Sequence, residues 1–226
     1  MAHKGKMIEM TMADNAKLGV YHVEAAGKRR GGLVLIQEIF GVTDHIKEQC
    51  DGYAAEGYEV LAPALYDREA PGLQATYSPE DIQKCIKIAR EQHPLELSVS
   101  DAKTCIEALT AQGSVFITGY CYGGSITWLA ACRVPGLAAA SGYYGSLIPA
   151  HADEQPKCPV ILHFGKHDAG IPLAGVEKVK AAHPEVPVYI YDAGHGFNSD
   201  RRQDYNAEAA KLAKQRTLEL FRANGG

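Results

Sequence analysis

Residues 115–125 read Val115-Phe116-Ile117-Thr118-Gly119-Tyr120-Cys121-Tyr122-Gly123-Gly124-Ser125. An apolar strand, Val115 to Thr118, runs into G-x-C-x-G-G and then into a helix-compatible stretch, Tyr122 to Ala131. This is the spacing of the G-x-S-x-G nucleophile turn, with sulfur in place of oxygen. A chain that turns abruptly from strand to helix holds its apex residue in a strained conformation, and its close neighbours, Gly119 and Gly123, must lack side chains. The apex side chain is then presented to solvent. The positive end of the following helix lies beneath the sulfur and favours its thiolate. A buried cysteine in a glycine-rich turn is the competing reading, and the partners supplied downstream weigh against it.

Outward from this stretch the chain alternates strands and helices. Met7 to Val23 alternates polar and apolar residues around Asp14-Asn15, which predicts an opening hairpin. The compact apolar run Gly32 to Ile36 suits a strand buried on both faces. Thr43 and Asp44 cap a predicted helix with Ile46, Cys50, Tyr53 and Ala54 on one face, ended by Gly57, and Glu59 to Pro63 follows as a strand. Ser78-Pro79-Glu80-Asp81 opens a helix expected to reach His93, and a second amphipathic helix spans Leu95 to Gln112. Leu137 to Tyr143, Val160 to Phe164 and Val188 to Tyr191 are further strands, and Ala207 to Arg222 a final helix. The pattern predicts an α/β fold: a mostly parallel twisted sheet with helices on both faces, in one domain over residues 1–226.

Composition narrows the function. With 226 residues, 46% of them hydrophobic, the chain buries a large core unaided. A formal charge of -4 without a basic block argues against a nucleic-acid partner. The polar start, Met1 to Lys6, and the lack of a long apolar run argue against export and against membrane insertion. Six cysteines without a C-x-x-C pair read as reduced thiols in a cytoplasmic protein, and the expected assembly is a monomer or small homo-oligomer.

Two loops supply partners for the sulfur. Asp168 follows the strand Val160 to Phe164, and His195, within Asp192-Ala193-Gly194-His195-Gly196-Phe197, follows Val188 to Tyr191. An aspartate there can orient the imidazole, and the imidazole can exchange a proton with Cys121. His163 and His167, four apart near Cys158 and Asp168, invite a metal reading, but the spacing crosses a strand end, so no metal site is expected. Upstream, Gln37-Glu38-Ile39-Phe40-Gly41 ends an early strand. Ile39 and Tyr122 are the candidate backbone N–H donors for an oxyanion. A carboxylate at Glu38 is costly to bury alone, which makes the Cys121 thiol its candidate partner. Tyr144, Phe40 and Trp128 are candidate pocket aromatics.

These segments, with Leu65-Tyr66, Ala70-Pro71-Gly72 and Gly142-Tyr143-Tyr144-Gly145, resemble the dienelactone hydrolase family over nearly the whole chain. The resemblance implies an α/β-hydrolase fold and a Cys-His-Asp triad, Cys121, His195 and Asp168, that hydrolyses a small-molecule lactone or ester through an acylated cysteine. It further implies that Glu38 controls the thiol and that no cofactor is required. Family members acting on chlorocatechol-derived dienelactones hold the substrate carboxylate with arginines. Here Arg201 is the candidate for one of them, and Lys84 lies in the helix that carries the other. A thioesterase or general carboxylesterase with the same machinery is the alternative. A non-catalytic binding protein or a redox sensor on the same scaffold is the alternative from another class.

Overall fold

A computed structural model describes residues 4–226, and the polar start at Met1–His3 lies outside them. The expected hairpin forms from β1 (Lys6–Thr11) and β2 (Lys17–Val23), antiparallel with Ile8 opposite Val20. Its turn places Asn15 at φ 68°, and Asp14 Oδ1 accepts from the Ala16 N–H at 3.1 Å. Asparagine tolerates that conformation better than most residues.

The remaining elements alternate: β3 (Gly31–Ile36), α1 (Asp44–Ala55), β4 (Tyr58–Pro63), α2 (Pro79–Lys87), α3 (Leu95–Thr110), β5 (Val115–Tyr120), α4 (Tyr122–Arg133), β6 (Ala139–Tyr143), β7 (Val160–Gly165), α5 (Leu173–Ala182), β8 (Val188–Tyr191) and α6 (Ala207–Ala223). The strands form one sheet of eight in the order β1-β2-β4-β3-β5-β6-β7-β8. β3 to β8 are parallel, and β2 joins them antiparallel to β4.

Every residue of β3, β5, β6 and β7 is buried, which requires cover on both faces. Neighbouring residues of β3 locate that cover. A Cβ on Gly31 would meet Phe116, whose ring stacks on Phe221 of α6 at 4.7 Å. One on Gly32 would meet Leu109 of α3. Successive strand residues point to opposite faces, so α6 and α3 lie on opposite sides of the sheet. α1 joins α6 through Tyr53 and Phe221, and α4 packs on α3.

Three details depart from expectation. The helix opened by Ser78, whose Oγ accepts from the Asp81 N–H at 3.2 Å, ends as α2 and continues in a π-helical turn, Ile88–Gln92. The strand expected from Leu137 pairs only from Ala139. The sequence reading also missed α5, which buries only Val176 and Val179 and so presents a thin apolar stripe. Because β3 and β5 to β8 run parallel, the loops after them gather at one edge of the sheet, where ligands bind in open α/β folds.

Candidate active site

At that edge Cys121 stands between β5 and α4 with φ 56° and ψ -115°, a conformation that costs a non-glycine residue about 1–3 kcal/mol. Its surroundings hold it there: the Cys121 N–H donates to Tyr143 O at 3.0 Å, and Cys121 O accepts from Gly124 N–H at 3.0 Å. The glycines read from the sequence are steric necessities. A Cβ on Gly123 would lie 2.3 Å from Ile36 O, and one on Gly119 would lie 2.4 Å from Gly123 O. The first turn of α4 therefore presses directly on the end of β3.

His195 arrives from the β8 loop and Asp168 from the β7 loop. Those loops are fastened together by Lys166 N–H donating to Tyr191 O at 2.7 Å and His167 N–H donating to Ala193 O at 3.0 Å. Asp168 is buried, with Oδ1 accepting from Gly170 N–H at 2.8 Å and Oδ2 lying 2.6 Å from His195 Nδ1. A carboxylate only accepts, so Nδ1 carries a proton and Nε2 faces the sulfur. Nε2 lies 3.1 Å from Cys121 Sγ. Burial pushes the imidazolium down, but negative charge on Cys121 and the hydrogen bond and charge of Asp168 outweigh it and raise His195 to about 10. The arrangement can move a proton between sulfur and nitrogen while Asp168 fixes the ring.

A cleft of about 450 Å³ opens over this group. Ile82, Ile86 and Ala89, on α2 and its π-helical extension, form an apolar wall, and Ile39 and Phe40 also line the space. Tyr122 lines it as the first residue of α4, where a helix N–H has no carbonyl partner four residues back. Phe40, Ile39 and Tyr122 thus line one space with Cys121 and His195. Glu38 is fully buried behind the cleft, but its partner is not the Cys121 thiol that the sequence suggested: Oε2 accepts from the Tyr77 hydroxyl at 2.9 Å, while the thiol meets His195 Nε2. Tyr144, at φ 36°, is also fully buried; its ring centroid lies 5.2 Å from that of His195, which it supports from the core instead of facing the cleft.

Arg201 does not reach the cleft. Its guanidinium forks onto Glu48 of α1 at 2.7 and 2.8 Å, while its neighbour Arg202 lines the site. Tight turns closed by Ser199 N–H to Gly196 O and Arg202 N–H to Ser199 O reverse the chain here, so adjacent side chains leave in different directions. Lys84 is exposed on α2 and absent from the lining, whereas Arg90, within the π-helical turn, is part of it. Trp128 is core, donating to His151 O. Sequence reasoning missed Arg90, Arg202 and Tyr77. The adjacent Arg201-Arg202 pair was a visible signal, but a π turn carries none that periodicity detects.

The two histidines that suggested a metal diverge: His163 is buried against Tyr191 and Ser141, and exposed His167 pairs with Asp192. Among the described residues, His45, Glu48 and Asp200 approach closely enough to share a cation, but the Arg201 guanidinium already neutralises both carboxylates.

Known proteins match the chain along nearly its full length. The model of the dienelactone hydrolase family matches residues 18–225. A Synechocystis protein provisionally named carboxymethylenebutenolidase is 35% identical over 208 residues, covering 84% of each chain. A carboxymethylenebutenolidase from a Pseudomonas species is 29% identical, covering 89% of this chain and 88% of its own. The crystal structure of a protein from Klebsiella pneumoniae, provisionally described as a dienelactone hydrolase, superposes with a TM-score of 0.82 at 29% identity, covering 96% of this chain and 98% of its own. Eight strands in α/β-hydrolase order, a cysteine at the strained bend and a family match across both identify the chain as a member of the dienelactone hydrolase family.

Proposed function

We propose that this protein hydrolyses a small lactone or carboxylic ester through Cys121, His195 and Asp168. The observation that carries the reading is the continuous line from carboxylate to imidazole to sulfur, 2.6 Å and 3.1 Å, at the floor of a cleft. Cys121 gives its proton to His195 Nε2 and attacks the carbonyl carbon. The resulting oxyanion is held by the N–H groups of Ile39 and Tyr122, an interaction worth about 3 kcal/mol per donor. His195 then protonates the departing alkoxide, leaving a thioester on Cys121. Water, deprotonated by the same imidazole, attacks that thioester, and the acid leaves as Cys121 recovers its proton.

Glu38 stands behind this centre as the group that sets the protonation of the thiol. Arg202 and Arg90 replace Arg201 and Lys84 as the groups placed to meet a substrate carboxylate, because they line the cleft and no carboxylate pairs with either among the described residues. The apolar wall takes the hydrocarbon part of the substrate. Its extent favours a second substrate class, carboxylic esters or thioesters with longer apolar acyl groups, handled by the same three residues.

The test is incubation with a panel of activated esters and lactones, followed by mass spectrometry of intact protein and peptides. An acyl adduct on Cys121 that disappears with turnover supports the reading. Hydrolysis that persists in Cys121→Ala defeats it.

A further inference from the structure

Glu38 has no exposed surface, and among the described residues only one of its two carboxylate oxygens is engaged: Oε2 accepts from the Tyr77 hydroxyl at 2.9 Å, while Oε1 has no partner there. A buried carboxylate this poorly solvated depends heavily on the donor it has. Tyr77 has a single hydroxyl proton, which goes to Glu38, so the Ser199 hydroxyl 3.1 Å away donates in turn to the phenol oxygen. Burial, followed by the charge of Glu38, raises the phenol well above its ordinary range, which keeps it a donor.

Tyr77 also joins three pieces of the site. It immediately precedes Ser78, the cap of the α2 wall. Its ring meets Phe40 edge-on at 4.7 Å, on the loop that carries Ile39. Arg202 lies over the ring at 5.5 Å, and Ser199, whose N–H donates to Gly196 O, belongs to the loop that carries His195. The other charged or titratable groups near Glu38 come from α1, the β6 loop and the elbow. His45 feels Glu38 as its largest neighbouring charge, with burial pushing that imidazole down. Tyr144 feels both Glu38 and Cys121. Neither bonds Glu38 Oε1.

We propose that Tyr77 is a positioning residue that keeps Glu38 ionised and fixed behind the nucleophile, where its charge acts on the protonation of Cys121. This rests on the role given to Glu38 above. Tyr77→Phe deletes the hydroxyl while keeping the ring against Phe40 and Arg202, so it isolates the hydrogen bond. In infrared difference spectra at pH 7, each protein measured against its own Glu38→Gln counterpart, the wild type shows no protonated-carboxyl band and Tyr77→Phe shows one. The acidic limb of kcat/KM moves to higher pH by about one unit or more, with KM within about twofold. In a Glu38→Gln background the same substitution leaves the limb where it is. Ser199→Ala shifts it in the same direction by less, and it stands in if Tyr77→Phe does not fold.

A variant with no carboxyl band and an unmoved limb overturns the proposal, even when its melting temperature drops, because Tyr77 would then be packing only. The infrared reading needs no turnover. It decides on Tyr77 even where activity surviving in Cys121→Ala has removed the reading of function.

Discussion

Two imidazoles, His195 and His163, stand near the same end of the sheet with both nitrogens engaged, yet they are driven in opposite directions. His195 lies between a carboxylate and a sulfur and is raised to about 10, whereas His163 lies among hydroxyls and burial drives it down to about 3. Around His163, Arg216 Nη1 donates to the Tyr191 hydroxyl at 3.0 Å, leaving the Tyr191 proton for His163 Nδ1 at 2.8 Å. Nε2–H then faces Ser141 Oγ at 3.2 Å. Neutral donors and acceptors satisfy a neutral ring, while charged neighbours stabilise a charged one. Burial alone therefore does not mark a reactive histidine; the charge of its partners does.

The comparison breaks most visibly at the reactive end. Cys121→Ala abolishes ester turnover, and His195→Ala lowers kcat by about a hundredfold or more, measured by steady-state assay. His163→Phe leaves kcat within about twofold of wild type, because its network supports the sheet and carries no reacting atom. A large loss of kcat in a folded His163→Phe protein would erase the distinction between the two rings.

Titration sharpens it next. In NMR spectra of the ring protons, the expected midpoint for His195 in the wild type is about pH 10. In Cys121→Ala the sulfur charge is gone, and the midpoint falls by about two units or more. A group raised on folding stabilises the protein fully below its unfolded value, near 6.5, and that contribution is lost as pH rises through about 10. His163 has the opposite sign. Its contribution is intact above about 6.5 and fades as pH falls towards 3, because the unfolded chain takes up a proton that the folded ring refuses. Chemical denaturation across pH 4 to 9 reads both limbs, and His163→Phe should flatten the acidic one. That substitution also takes away the acceptor of the Tyr191 proton and the ring N–H that faces Ser141 Oγ, leaving Tyr191 with Arg216 and Ser141 with Thr217, at a cost of about 1–3 kcal/mol at pH 7.

The smallest expected effect concerns the rim. Arg202→Met raises KM for esters bearing a carboxylate by about tenfold and barely changes neutral esters, whereas Arg201→Met changes neither. Equal effects from the two variants would put Arg201 back in the site.

Most of the fold was legible because its signals are local: alternation in β1 and β2, solid apolar runs in β3, β5 and β7, and the Ser78 cap of α2. The juxtaposition of Cys121, Asp168 and His195 was legible from chain order, since parallel strands deliver their following loops to one edge. What stayed hidden depends on side-chain direction after a non-standard turn. Arg201 and Arg202 differ by one residue, and the reversal at Gly196–Arg202 decides which of them meets the cleft. Tyr77 was invisible for a related reason: its partners lie far along the chain, Glu38 and Ser199 being 39 and 122 residues away. α5 escaped because two buried valines in ten residues make too faint a stripe.

The π-helical turn at Ile88–Gln92 has a consequence for how such a site changes over generations. Such a turn holds one residue more than an α-helix fits, so deleting a single codon within it would let the segment rewind as α-helix while the residues on either side keep their faces. The change would fall on the turn's own side chains, Arg90 at the mouth of the cleft among them. One short stretch of helix gives this scaffold a means of trying new substrates without risking its chemistry.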